Sequence, residues 1–213
     1  YGHMTDIDHQ MSRLFESLRE FRFDDNTYIL FISDHGEFIG DHNLFRKTLP
    51  YQGSVNVPFI LKSPHPDEFP AGSVADAVAG MQDVMPTLLD IASLPVPNSL
   101  DGKSLVPVAR QETESIRDFL HGEHVFFEHS VQYLTDGREK YIWWSGDGRE
   151  QLFDLENDPQ ELYDLVAEQP ERTAFWRMRL VEKLAGRPEG FSDGKQLQVG
   201  QPVSHVITPK PVK

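Results

Sequence analysis

Met4, Ile7, Met11, Leu14, Phe15 and Leu18 recur at the three-to-four-residue spacing of a helix with one apolar stripe. The spacing predicts an amphipathic helix from residue 4 to about 20, with Thr5 or Asp6 as its cap. Asp24-Asp25-Asn26 breaks the pattern as a turn. Tyr28 to Ile32 is then apolar without alternation. With Thr27 it predicts a strand buried on both faces, in a parallel sheet. Val57 to Lys62 predicts a second strand, with Pro58 at its start or on an edge. Residues 63–72 form a loop. Asp83 to Leu94 predicts a helix, capped by Asp83 and with Pro86 in its first turn. Residues 95–105 are extended loop.

The texture changes near residue 119. "VQYLTDGREKYIWW" (131–144) reads as two strands around the hairpin signal Asp136-Gly137. One of Trp143 and Trp144 must then face a core. A turn at Gly146 to Gly148 leads into a third strand. Residues 156–165 read as a turn and a helical start. Gln169 to Ala185 predicts an amphipathic helix ended by Gly186 and Pro188. The tail from 192 is extended and draped over the body. The domain reading is therefore 1–118 as the α/β part and 119–213 as a small antiparallel-sheet and helix subdomain with an extended tail.

Composition narrows the function classes. The 213 residues suit one substantial domain, and 38% hydrophobic with 25% charged residues suits a globular chain. A net charge of −14 argues against nucleic acid or an anionic membrane as partner. There is no cysteine, so these residues hold no disulfide, no thiolate zinc site and no cysteine nucleophile. No apolar run is long enough to span a bilayer. No targeting segment is legible, and the compartment stays open.

The chemistry concentrates behind the first strand, in "SDHGEFIGDH" (33–42). Asp34 and His35 are a carboxylate and an imidazole at a strand's carboxyl end, where loops of an α/β sheet converge on ligands. Both residue types bind divalent cations. Two adjacent donors do not complete a coordination shell. On the residues alone, the pair is either part of a metal site or a polar turn.

The stretch 28–64, "YILFISDHGEFIGDHNLFRKTLPYQGSVNVPFILKSP", resembles the carboxyl-side metal motif of the type I sulfatases, members of the alkaline-phosphatase-like superfamily. Ser33-Asp34-His35-Gly36, Gly40-Asp41-His42, Lys47 and Val57-Pro58 hold the motif's places in order. "DVMPTLLDIASLPVP", "LDGKSLVPV" and "EKYIWWSGDGREQLFDLENDPQELYDL" resemble the segments that follow in that family. The phosphonate monoester hydrolase branch is also similar. The likeness runs from residue 1 to about 186. It implies part of an α/β/α sandwich plus a small carboxyl-terminal antiparallel sheet packed with a helix. The family's two acidic ligands on the first strand and its Cys-x-Pro-Ser-Arg signature have no match here. The resemblance thus implies the carboxyl-terminal half of a longer enzyme, with a formylglycine nucleophile upstream of Tyr1. Gly2-His3-Met4 is read as native sequence.

By this resemblance Asp34 and His35 ligate one divalent cation. The cation is Ca2+ in a sulfatase, or Mn2+ or another transition metal in the phosphonate branch. Lys47 contacts the sulfate or phosphonate group, an ammonium suiting a tetrahedral oxyanion; the alternative is a solvated surface lysine. Asp41 and His42 either orient the ligands or stabilise a turn. His124, with Glu123, either lines the substrate cleft where the small sheet meets the large one or makes a hydrogen bond between the two parts. Arg46 either adds charge to the pocket or lies on the surface. The expected substrate is a small-molecule or saccharide sulfate ester. A phosphonate monoester or phosphodiester is the second reading, and a non-catalytic module the third. A chain of this kind, without the first strand and its neighbours, is expected to be poorly stable alone.

Overall fold

The computed structural model describes residues 2–203. Helix α1 (Gly2–Glu20) begins earlier than the stripe predicts, so Thr5 and Asp6 lie within it rather than capping it. Strand β1 (Ile29–Ile32) follows a short helical turn at Asp24–Asn26. It pairs with β2 (Phe59–Lys62) in antiparallel register, Ile29 opposite Lys62 and Ile32 opposite Phe59. The parallel, fully buried strand expected here is thus corrected. All four β1 residues are half-buried. A short apolar run carries no information about the direction of its neighbour, and here the chain returns through 33–58 to lie antiparallel.

Between these strands lies the one-turn helix α2 (Gln52–Val55). Helix α3 (Val84–Ile91) has Pro86 in its first turn, as predicted. Asp83 works differently from a simple cap. It ends a preceding helical turn and reaches back to accept from the Gly80 N–H at 2.8 Å. It also accepts from the Lys103 N–H at 2.9 Å and pairs with Arg117 through both oxygens. One buried carboxylate thereby ties α3, the Asp101–Leu105 loop and the approach to the small sheet. Helix α4 (Val106–Ala109) follows.

The second sheet has strand order β3-β4-β5-β6 and is antiparallel throughout. Its strands are β3 (Leu120–Phe126), β4 (His129–Thr135), β5 (Glu139–Trp144) and β6 (Glu150–Asp154). The last three match the expected strands, and β3 adds one that the hairpin signals do not mark. Helix α5 (Pro170–Leu184) matches the expected helix to within a residue at each end, and Gly186 follows it with φ +74°. The helical start expected within 156–165 is absent.

Period-two alternation sends this sheet's side chains to two covered faces. Leu134, Tyr141, Trp143 and Leu152 pack on Trp176, Leu180 and Leu184 of α5. Val131, Ile142, Trp144 and Phe153 pack instead on Phe38 and Tyr51 from the loop behind β1. Both tryptophans are therefore buried, one on each face. The tail bridges Ser192 to Leu197, and the Gly200 N–H reaches the Ser145 carbonyl at 2.7 Å. It lies over the small sheet as far as Val203; its remainder, 204–213, is outside the described residues.

Candidate active site

The loop behind β1 folds back on itself. The Phe38 N–H donates to the Arg46 carbonyl at 2.8 Å, and the Gly40 N–H donates to the Leu44 carbonyl at 2.9 Å. Phe38, 2% exposed, anchors this hairpin-like loop in the sheet's second core. The fold-back brings Lys47 to His35, twelve residues apart in sequence, with Lys47 Nζ 2.5 Å from His35 Nε2. His35 Nε2 is also 3.5 Å from Asp34 Oδ2.

The ring's other nitrogen sets its tautomer. His35 Nδ1 lies 2.7 Å from the Gly36 carbonyl, an acceptor only, so Nδ1 carries the proton. Nε2 is left with a lone pair, which accepts from Lys47 here. Ser33 Oγ donates to the His35 carbonyl at 2.7 Å, and the His35 N–H donates to Asp34 Oδ1 at 3.0 Å, holding the turn. Gly36 is required by contact. Its N–H meets the Ser54 carbonyl at 2.8 Å, and a Cβ on it would stand 2.1 Å from the Gly53 carbonyl oxygen.

Asp34, His35 and Lys47 open on a cleft of about 480 Å³ whose opposite wall is β3 with Tyr133 of β4. His124 and Glu123 line the same cleft. Among the described residues Lys47 is the cleft's one lysine or arginine. Glu123 is engaged by Arg187 Nη2 at 2.9 and 3.0 Å and by Gln132. Burial pushes the pKa of His121 down, while its hydrogen bond to Gln132 pulls the other way without overcoming it. Asp41 and His42 are not cleft residues. The Asp41 carbonyl accepts from the Leu44 N–H at 2.8 Å, and the His42 ring stacks on Tyr51 at 4.3 Å between centroids. Arg46, with φ +66°, also lies outside the cleft lining, its N–H bonded to Glu37.

The cleft contains residues that sequence reasoning passed over. Tyr133 crosses over Gly122, where a Cβ would stand 2.1 Å from the tyrosine ring. Burial pushes its phenol pKa up. The one signal for this wall is alternation in "LHGEHVF", obscured by its polar content.

A divalent cation fits the donor set in part. The Asp34 side chain is 79% exposed, and His35 Nε2 lies beside it. The Nε2 lone pair is the one Lys47 takes in this structure, so a bound cation and Lys47 compete for it. No cluster of three or more His, Cys, Asp or Glu side chains arranged for a metal exists among the described residues.

The structure thus brings together a strand-end carboxylate and imidazole, a facing lysine and a small antiparallel sheet. Residues 40–187 match the family described as N-sulphoglucosamine sulphohydrolase, C-terminal. The chain belongs to that family. It is 44% identical over 207 residues to an arylsulfatase of Clostridium perfringens, covering 96% of this chain and 43% of the relative. It is 32% identical over 192 residues to arylsulfatase K of Bos taurus, covering 84% of this chain and 35% of the relative. The chain thus spans less than half the length of these curated relatives. A protein solved in complex with its substrate D-glucosamine-2-N,6-O-disulfate superposes with TM-score 0.77 at 26% identity, over 84% of this chain and 38% of that one. The phosphonate monoester hydrolase of Agrobacterium radiobacter superposes with TM-score 0.74 at 29% identity, over 84% and 39%.

Proposed function

We propose that this chain is the carboxyl-terminal part of a metal-dependent sulfuric ester hydrolase. The observation that carries the reading is the meeting of Lys47, His35 and Asp34 in one cleft, after a fold-back that the sequence spacing alone does not impose. Lys47 places its ammonium against the sulfate oxygens, where negative charge must be held as the ester breaks. Asp34 and His35 hold one divalent cation together with ligands from an upstream part of the same protein. When bound, that cation, Ca2+ in this reading, polarises the ester's oxygens. The nucleophile that the family resemblance implies, a formylglycine, would also come from upstream; these residues contain no cysteine. His124 and Tyr133, on the small sheet, face the part of the substrate beyond the sulfate, a saccharide or aryl group. The sulfated saccharide in the complex of the superposing structure supports this class of substrate.

A second reading, phosphonate monoester hydrolysis, is favoured by the Agrobacterium structure's similarity and by the imidazole donor, which suits a softer metal than calcium. The test is kcat/KM of the complete natural protein on an aryl sulfate and an aryl phosphonate monoester, each with Ca2+ and with Mn2+. The proposal expects the sulfate ester with Ca2+ to be preferred. Preference for the phosphonate with Mn2+ selects the second reading. No turnover of either ester selects a non-catalytic module.

A further inference from the structure

The segment that returns Lys47 to His35 is held from behind by two buried charges. Lys140 of β5 lies on the sheet face turned toward this loop, its side chain 1% exposed. Its Nζ donates to the Pro50 carbonyl at 2.9 Å and to Gln52 Oε1 at 2.8 Å. Glu161, its side chain 0% exposed, places Oε1 2.7 Å from the same ammonium. That contact pairs the two buried charges directly. The other oxygen, Oε2, accepts from the Gln52 N–H at 2.6 Å. Glu161 reaches this position with φ +57°, a left-handed backbone that a residue with a Cβ adopts only when its surroundings hold it there.

The pair thus grips one short stretch of main chain at the start of α2. From α2 two further hydrogen bonds lead to the site. The Ser54 carbonyl accepts from the Gly36 N–H at 2.8 Å, and Ser54 Oγ accepts from the Thr48 N–H at 3.4 Å. Gly36 adjoins His35, and Thr48 adjoins Lys47. Lys140 and Glu161 therefore stand behind both arms of the cleft through a single one-turn helix.

A buried ion pair adds little net stability, because taking both charges out of water offsets their attraction. What it supplies here is geometry, since one ammonium and one carboxylate fix three groups of the 50–52 segment. We propose that the Lys140–Glu161 pair is a positioning device that sets the spacing between Lys47 and the Asp34–His35 arm. The proposal rests on the reading of Lys47 as the substrate's oxyanion contact. Neither residue touches the cleft, so each acts through α2.

The test is made in the complete natural protein. Lys140→Met/Glu161→Leu replaces the pair by apolar side chains of similar volume, which avoids leaving either charge buried alone. Expected is a fall in kcat/KM on an aryl sulfate of about 10- to 100-fold, the scale of a small misplacement of a reacting group. The inhibition constant of inorganic sulfate should rise with it; the melting temperature should fall, because the Pro50 carbonyl and Gln52 lose their partners, so both constants are read well below the variant's own melting range. Wild-type kcat/KM and sulfate inhibition in the folded double variant overturn the proposal. Should that variant not fold, Gln52→Leu decides, because it removes one Lys140 acceptor from a half-buried position. A fall of about threefold with unchanged melting supports the device, and no change overturns it. Lys47→Ala separates the two claims. If it leaves turnover intact, the site reading falls and the device with it. If it abolishes turnover while the double variant does not, the device alone falls.

Discussion

The chain's two regions cover their apolar surface to different degrees. The small sheet is clad on both sides, by α5 on one face and by the Phe38–Tyr51 loop on the other. Helix α1 has a stripe as regular as that of α5, yet none of its residues is buried. Met4 is 64% and Leu14 58% exposed. Across from α1, β1 and β2 leave about 580 Å³ of largely apolar space. Periodicity states which face a helix offers for burial and not whether the described chain supplies the cover. The site lies where these regions meet. Its Asp34–His35 arm follows the uncovered β1, and Lys47 sits on the loop that packs on the covered sheet.

The largest effect that sharpens this contrast belongs to the covered region. Trp176→Ala is expected to cost about 3–5 kcal/mol, since it empties a core position and strips Glu139 of the indole N–H at 2.9 Å. Urea unfolding followed by circular dichroism reads the loss, and a cost under about 1 kcal/mol breaks the picture of a self-sufficient core. Arg117→Met comes next, at about 3–5 kcal/mol, because it leaves the Asp83 carboxylate buried without its cation. Burial alone would raise the Asp83 pKa. Arg117 and the Lys103 and Gly80 N–H groups outweigh burial and hold the pKa below the usual carboxylate value. The folded form therefore binds this proton less readily than the unfolded one. Its stabilisation is complete above the ordinary Asp pKa of about 3.9 and is lost as pH falls through the depressed folded value. Acid titration of wild type and Arg117→Met should show that loss in the first and a smaller one in the second.

The smallest effect tests the uncovered region. Leu14→Ala in this chain alone should change stability by less than about 0.5 kcal/mol, as at a surface site. If the upstream part proposed to supply the remaining ligands also covers α1, the same change in the complete natural protein should cost about 2 kcal/mol or more. Equal small costs in both would remove the proposed cover.

Much of the small subdomain is legible in the sequence because its signals are local. Asp136-Gly137 marks a hairpin turn, Gly137 has φ +92°, and the α5 stripe ends at a glycine. Strand β3 escapes because its turn into β4 carries no such mark: Phe127 occupies the left-handed position at φ +53°. The direction of β1 is invisible in an apolar run. Lys140 and Glu161 carry no mark in the sequence, since nothing local tells a buried ammonium from a solvated one. Asp34, His35 and Lys47 stand out through the resemblance, but only the fold-back of the loop shows why twelve residues of separation bring them together. Within the same motif, Asp41 and His42 contribute turn geometry and a ring stack rather than cleft-lining groups.

The most direct measurement is kcat/KM for an aryl sulfate with Lys47→Met in the complete natural protein, alongside its melting temperature. The account predicts a fall of about 100-fold or more, the scale of losing one oxyanion donor, with melting unchanged. A rate within twofold of wild type would contradict it, leaving Lys47 a partner of His35 and nothing more.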